Sequence, residues 1–68
     1  MKNRLKELRA RESLNQTQLA KKAKISRQTV SLIERGEYMP SLIIAVRIAR
    51  VFNESVENVF IFEEEELR

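Results

Sequence analysis

Between residues 15 and 36 the chain contains two short amphipathic helical patterns joined by a tight connection, and this feature constrains its fold more than any other. In the first pattern Asn15 can cap a helix, and Gln18 lies at the capping-box position three residues later. The apolar stripe of this helix consists of Leu19, Ala20 and Ala23. The sequence therefore predicts a short helix whose start is held by its own side chains.

The second pattern has a different outward face. Ser26 is its cap candidate, Val30 and Ile33 point inward, and Gly36 supplies a left-handed stop. The outward-facing residues are Arg27, Gln28, Ser31, Leu32 and Arg35. This set contains no acid and no bulky aromatic, and most of its side chains pair with base edges and phosphates in a DNA major groove. Two closely joined helices with a polar, basic second helix predict a helix-turn-helix.

The rest of the chain predicts three more helices and one short extended segment. The first helix covers about residues 3–12, the fourth runs from 42 to about 52, and a short fifth runs from 56 to about 60. The cap candidates of the last two are Ser41 and Ser55. The pattern of Phe60–Glu63 favours a short extended segment. We expect an all-α, compact five-helix domain over residues 1–62, followed by an acidic tail over 63–68.

Five short motifs carry a family resemblance. They are Leu14-Asn15-Gln16, Leu19-Ala20, Ser26-Arg27-Gln28-Thr29-Val30, Ile33-Glu34 with Gly36, and Pro40-Ser41-Leu42. In this order and spacing they resemble the phage repressor/Cro-type (XRE) helix-turn-helix family of prokaryotic transcriptional regulators, over nearly the whole chain. The resemblance implies a lambda-repressor-like DNA-binding fold.

The same resemblance implies three local features. Arg9 and Glu34 are expected to form an ion pair between the first and third helices. Where the family usually has glycine, this chain has Ser13, Lys24 and Asn53. If the backbone keeps the family geometry there, each position stores about 1–2 kcal/mol of strain.

The base-reading candidates lie on the third helix. Arg27 and Gln28 open it, where residues of this docking type reach base edges; an arginine suits guanine and a glutamine suits adenine. Ser31 can donate to a base or a phosphate, and Leu32 suits a thymine methyl group. The alternatives are a solvated helix start for Arg27 and Gln28, and a core position for Leu32.

The candidates for phosphate contact lie around that helix. Gln16 and Thr17 open the second helix, whose free amides attract an anion, and the resemblance makes Gln16 the phosphate-contacting residue. The other candidates are Ser26, Thr29, Arg35 and Tyr38, with Lys24 as a further flanking residue. Local capping is the alternative for Gln16, Ser26 and Thr29, and packing of its ring is the alternative for Tyr38.

Charge and composition narrow the function. Residues 1–50 carry 12 lysines and arginines against four glutamates (net +8), whereas residues 51–68 carry one arginine against six glutamates (net −5). A basic body with an acidic tail suggests a polyanion partner for the body, with the tail turned away. The chain has no cysteine and no histidine, so we expect no disulfide, no metal and no cofactor. No apolar run is long enough for a membrane, which predicts a soluble, cytoplasmic protein.

The fourth helix is too apolar for a helix with one buried face. The stripe expected to face the core is Leu42, Ala45, Ile48, Ala49 and Phe52. The remaining apolar residues of this helix, together with Val59, Ile61 and Phe62, are expected to form a homodimer surface. Burial within the monomer is the alternative.

These observations predict a sequence-specific transcriptional regulator that binds a near-palindromic operator in double-stranded DNA as a homodimer, and the family resemblance implies that it is a repressor. The alternative is an antitoxin or adaptor that uses the apolar surface to bind another protein. An enzyme is a distant third, because the chain shows no pairing of nucleophile and base and no glycine-rich phosphate loop.

Overall fold

The computed structural model describes residues 1–68 and contains five helices and a two-stranded sheet. The elements are β1 (Lys2–Asn3), α1 (Leu5–Arg11), α2 (Gln16–Ala23), α3 (Arg27–Glu34), α4 (Leu42–Val51), α5 (Val56–Val59), β2 (Phe60–Ile61) and a 3-10 turn (Glu64–Leu67). The predicted five-helix fold is confirmed, and the extended segment at Phe60 is present. The first helix begins at Leu5 rather than at residue 3, because Asn3 belongs to a strand.

The two strands join the ends of the chain. They are antiparallel, with Lys2 opposite Ile61 and Asn3 opposite Phe60. The Arg4 amide extends this pairing by donating to the carbonyl oxygen of Val59 at 2.9 Å. The N-terminal strand was not predicted, since two residues are too few to show an alternating pattern.

Side-chain caps begin four of the helices, as predicted. The Asn15 carboxamide accepts from the Gln18 amide at 2.7 Å, while the Gln18 side chain accepts from the Asn15 amide at 2.8 Å, completing the capping box. The serine caps of α3, α4 and α5 are Ser26, Ser41 and Ser55. Each such cap contributes about 1 kcal/mol to helix stability.

The ends of α1 to α4 share one arrangement, although only one of them has glycine. A residue in the left-handed region follows each helix, and these residues are Ser13 (φ 56°), Lys24 (φ 60°), Gly36 (φ 73°) and Asn53 (φ 55°). In each case the next amide donates back to a carbonyl five residues earlier, as when Ile25 donates to Ala20 at 3.0 Å. This is the Schellman motif, which satisfies carbonyls that the helix leaves free. The backbone therefore keeps the left-handed geometry at all three positions where this chain has no glycine.

Thirteen hydrophobic residues from the five helices, from β2 and from the end of α4 form the core. They are Leu5, Leu8, Leu19, Ala20, Ala23, Val30, Ile33, Ala45, Ile48, Ala49, Phe52, Val59 and Phe60. Four of the five residues predicted for the core face of α4 are among them. The prediction was wrong for Leu42, which is 76% exposed. Leu42 opens α4 beside Met39 and Pro40, where these residues line a surface hollow.

Candidate nucleic-acid interface

The outer face of α3 is polar and its inner face is buried. Arg27 and Gln28 are exposed in the first turn, whereas Val30 and Ile33 belong to the core. Ser26 sets this orientation, because its hydroxyl accepts from the Thr29 amide at 3.0 Å and starts the helix at Arg27. The predicted division of this helix into two faces is confirmed.

Five of the predicted DNA-contacting residues line one shallow surface depression, which we call the polar hollow. They are Gln16, Arg27, Gln28, Ser31 and Arg35. The lining contains two cations and three neutral hydrogen-bonding side chains, and it contains no acid and no hydrophobic residue. The hollow lies where the start of α2 meets the outer face of α3. Its side chains can therefore pair with both anions and neutral polar groups.

An ion pair at the base of the polar hollow joins α1 to the end of α3. Arg9 Nε and Nη2 donate to the two carboxylate oxygens of Glu34 at 2.6 and 3.0 Å, and Arg9 Nη1 donates to the Leu14 carbonyl at 3.2 Å. The Glu34 side chain is 1% exposed and the Arg9 side chain 17%. The hydrogen bond with Glu34 raises the pKa of Arg9 above its ordinary value. The ion pair implied by the family resemblance is present, and it fixes the end of α3 against α1.

Gln16 joins this network. Its side-chain Nε2 donates to Glu34 Oε1 at 3.1 Å, and this hydrogen bond orients the Gln16 side chain across the gap between α2 and α3. A carboxamide nitrogen carries two hydrogens, so one remains for a partner in the polar hollow. Glu34 therefore positions Gln16 as well as Arg9.

The other predicted contact residues surround the polar hollow without lining it. Thr17, Ser26 and Tyr38 are exposed, and Thr29 and Leu32 are half-buried. The hydroxyls of Ser26 and Thr29 lie 2.8 Å apart and form a local hydrogen bond. Capping is therefore an observed role of Ser26, alongside the phosphate contact that the sequence suggests.

Four cations line a second depression, the basic hollow. Its residues are Lys22, Lys24, Arg47, Arg50 and Val51. None of these cations lies within ion-pairing distance of a carboxylate, in contrast to Arg35, whose Nε lies 2.7 Å from Glu37. Lys24 lies in this depression and not in the polar hollow.

Exposed apolar side chains gather around a third depression, the apolar hollow, at the start of α4 and the end of β2. It is lined by Met1, Met39, Pro40, Leu42, Ala45, Val56, Phe60 and Phe62, together forming a largely apolar surface. Ile61 and Phe62 remain 43% and 39% exposed. Val59, which the sequence placed on the dimer surface, is fully buried in the core. That prediction was wrong, because Val59 is the last residue of α5 and its side chain faces inward.

The acidic tail lies closer to the polar hollow than its charge suggested. Glu63, Glu65 and Glu66 line a depression together with Lys2 and Arg35. The Lys2 ammonium lies 3.5 Å from the Glu63 carboxylate. Lys2 and the pairing of β1 with β2 bring the tail back to the end of α3, so the tail lies beside Arg35.

Asn3 is a residue that the sequence did not single out. Its side-chain nitrogen donates to the Ile33 carbonyl of α3 at 2.8 Å, across 30 residues of sequence. No local pattern signals such a contact, since it depends on the packing of the N-terminal strand.

Two further findings concern the whole chain. None of its helices has the length and apolar character required to cross a membrane, and nowhere do three or more potential metal-binding side chains form a group.

Known proteins share this sequence and fold. The helix-turn-helix family profile matches residues 5–58. An uncharacterized HTH-type transcriptional regulator of Archaeoglobus fulgidus is 49% identical over 67 residues, covering 98% of this chain and 94% of that protein. Another, from Methanocaldococcus jannaschii, is 50% identical over 66 residues, covering 97% of this chain and 100% of its own length. A third, from Bacillus subtilis, is 48% identical over 65 residues, covering 96% and 98%.

A solved structure shows the same architecture. The crystal structure of the restriction-modification controller protein C.AhdI from Aeromonas hydrophila superimposes with a TM-score of 0.78 and 32% identity, covering 84% of this chain and 86% of that one. The sequence matches span nearly the whole chain, and the structural match shows the same fold. The chain therefore belongs to the XRE-type helix-turn-helix family of transcriptional regulators and has its DNA-binding fold.

Proposed function

We propose that this protein is a transcriptional repressor that binds a near-palindromic operator as a homodimer. The observation that carries the proposal is the polar hollow, where Gln16, Arg27, Gln28, Ser31 and Arg35 meet without an acidic neighbour in its lining. A DNA duplex presents both phosphates and base edges, and this lining offers cations for the former and neutral hydrogen-bonding groups for the latter.

Base readout is assigned to the exposed residues of α3. Gln28 pairs with an adenine through its carboxamide and Arg27 with a guanine through its guanidinium, because each can form two parallel hydrogen bonds to that base. Ser31 lies one turn beyond Arg27 and reaches a base or the adjacent phosphate. Leu32 is half-buried, so only part of its side chain is free to contact a thymine methyl group.

Phosphate contacts are assigned to the residues around α3. Gln16 and Thr17 lie at the start of α2, where backbone amides lack helical partners and the helix dipole favours an anion. Ser26 and Thr29 offer hydroxyls at the start of α3, and Arg35 and Tyr38 lie beyond its end. These contacts hold the duplex in register, and they do not discriminate between sequences.

Dimerisation is assigned to the apolar hollow and the residues beside it. Phe62 lines the apolar hollow together with Met39 and Leu42, which are 60% and 76% exposed, and Ile61 follows Phe60 and is 43% exposed. Covering these side chains with a second copy removes apolar surface from water in both chains. A two-fold pair also doubles the base pairs that are read, with its α3 helices about one helical turn of DNA apart. Occupying such an operator blocks competing proteins, which is the basis for assigning repression.

A selection of random duplexes with the purified protein tests the DNA-binding part. We expect a motif with two inverted half-sites separated by about one helical turn, and two chains per duplex. The Arg27→Ala, Gln28→Ala double variant is the control and should recover no motif. If the wild type also recovers none, specific DNA binding is wrong.

Sedimentation tests the assembly. The wild type should be a dimer at micromolar concentrations, and Phe62→Glu should be a folded monomer, since each dimer would bury two added charges. Lys21→Glu adds a carboxylate at an exposed position outside the apolar hollow and should leave the dimer intact. A wild type that is monomeric both free and on DNA would refute the homodimer. The apolar hollow would then fit an antitoxin or adaptor that binds a different protein.

A further inference from the structure

Asn3 connects three parts of the molecule through one side chain and its backbone. Its Nδ2 donates to the carbonyl oxygen of Ile33 in the last turn of α3 at 2.8 Å. Its Oδ1 accepts from the amide of Leu5, the first residue of α1, at 3.1 Å. Its backbone lies in β1 opposite Phe60 of β2. The end of α3 is therefore held to the strand that leads directly into Ile61 and Phe62.

The N-terminal segment lies tightly against the end of α3. A Cβ added to Gly36 would lie 3.2 Å from the carbonyl oxygen of Met1, closer than most contacts of this kind. Gly36 also has a positive φ of 73°, so both its backbone conformation and this close approach favour glycine. The Gly36 amide donates to the same Ile33 carbonyl at 2.9 Å. Asn3 and Gly36 thus share one acceptor at the end of the helix.

We propose that Asn3 is a positioning residue that sets α3 relative to the dimer surface, and thereby selects the spacing between the two half-sites of the operator. This inference rests on the proposed homodimeric DNA binding. The connection runs from α3 through the Ile33 carbonyl to Asn3, and from Asn3 through the strand pair to Ile61. In a two-fold dimer any displacement along this path occurs in both copies. Both displacements then contribute to the change in distance between the two α3 helices.

The alternative is that Asn3 only caps α1 by accepting from Leu5. Two variants separate these roles. Asn3→Asp keeps an acceptor for the Leu5 amide but replaces the donor to Ile33 with an oxygen, which repels the carbonyl. Asn3→Ser offers a hydroxyl oxygen as the acceptor for the Leu5 amide. The serine side chain is too short to reach Ile33, and it adds no charge. A residue that acts only as a cap would tolerate both changes in every DNA-binding measurement.

The experiment measures affinity for a series of duplexes that share the same half-sites and differ by single base pairs in their central spacing. The wild type should prefer one spacing sharply. In Asn3→Asp and Asn3→Ser, the ratio of affinities between the preferred and the adjacent spacing should fall about three- to tenfold, the scale of one lost hydrogen bond. Affinity for an isolated half-site and the dimer population in sedimentation should stay unchanged. Asn53→Asp adds the same charge at an exposed residue after α4 and serves as the control.

Each other outcome has a distinct meaning. If both variants keep the wild-type ratio, Asn3 does not position α3, and the proposed homodimer is unaffected. If the wild type itself binds its half-sites equally at every spacing, the rigid dimer is wrong and this inference fails with it. If half-site affinity falls as much as the full-site affinity, Asn3 supports the fold of the single domain, and its role in spacing is refuted.

Discussion

The polar hollow and the basic hollow carry charge of the same sign and differ in every other respect. The polar hollow has two arginines among three neutral hydrogen-bonding side chains, whereas the basic hollow has four cations and one valine. The polar hollow includes the starts of two helices, since Gln16 opens α2 and Arg27 opens α3, and Arg35 adds a cation at the end of α3. The basic hollow lies near two helix ends, since Lys24 caps the end of α2 and Arg50 lies in the last turn of α4.

This difference separates two uses of positive charge. The start of a helix has free amides and a partial positive charge, so cations there reinforce attraction for an external anion. The end of a helix has free carbonyls and a partial negative charge, so cations there complement the helix itself. The basic hollow has more charge, but only the polar hollow has neutral groups that distinguish one base from another. Charge density alone would favour the basic hollow, whereas the proposed base readout needs the neutral side chains of the polar hollow.

The largest effect is expected from breaking the support of the polar hollow. Glu34→Ala removes the partner of Arg9 and Gln16. The free energy of unfolding should fall by about 3 kcal/mol, which is the scale of a broken buried ion pair. The value lies at the lower end of that scale because the Arg9 side chain keeps some contact with water. DNA binding should weaken as Gln16 loses its orientation. Urea unfolding measures the first effect. Glu7→Ala removes the exposed partner of Arg4 on α1 and should change stability little, whereas equal losses in both variants would show that the Arg9–Glu34 pair has no special role.

Gln28→Ala should weaken binding to the preferred DNA site and should leave binding to random duplex almost unchanged. Loss of its paired hydrogen bonds should cost about 1–3 kcal/mol on the preferred site and little on random duplex, because random DNA is held through phosphates. Titration of both DNAs measures the difference. A parallel loss on the two would mean that Gln28 does not read a base, and the distinction between the two hollows would then rest on charge alone.

Arg35→Ala should weaken binding to both DNAs in parallel. A lost phosphate contact should also lower the slope of log affinity against log salt by about one unit. Lys21→Ala removes the same charge at an exposed position outside both hollows and should change the slope less. A slope that does not change in Arg35→Ala would remove this residue from the phosphate contacts.

The smallest effect is expected in the basic hollow. The Arg47→Ala, Arg50→Ala double variant removes two cations, and it should leave the ratio between preferred and random DNA unchanged, since neither side chain lies in the polar hollow. Any loss should be smaller than that of Arg35→Ala and equal on both DNAs. Competition titrations against random duplex measure this ratio. If the double variant loses affinity for the preferred site only, the basic hollow also takes part in base readout, and the proposed difference between the two hollows is wrong.

Local features of the fold could be predicted because they depend on neighbours in sequence. Asn15 and Gln18 form their capping box within one helical turn, and Ser26 caps α3 in the same way. The two faces of α3 follow from helical spacing alone. For the candidate site, this periodicity identified four of the residues that line the polar hollow, whereas Gln16 was named from the start of α2 and the family resemblance. The pair of Arg9 and Glu34 needed the family resemblance, since 25 residues separate its members and no local pattern connects them.

Features that depend on packing were missed or misplaced. Leu42 and Ala45 were both assigned to the core by their spacing, yet only Ala45 is buried, because spacing does not show where the neighbouring elements end. Val59 was assigned to the surface and is buried for the same reason. The placement of the tail beside Arg35 follows from β1, a strand too short to be recognised in the sequence.

The sequence by itself determined the helices, their caps, the polar face of α3 and the kind of chemistry that this face offers. These properties follow from hydrogen bonds and side-chain directions within a few residues along the chain. Only the tertiary structure decided that Gln16 joins that face, that Asn3 reaches the Ile33 carbonyl, and which apolar side chains stay exposed. Such contacts form when distant segments pack, and their free energy depends on a geometry that no local pattern encodes.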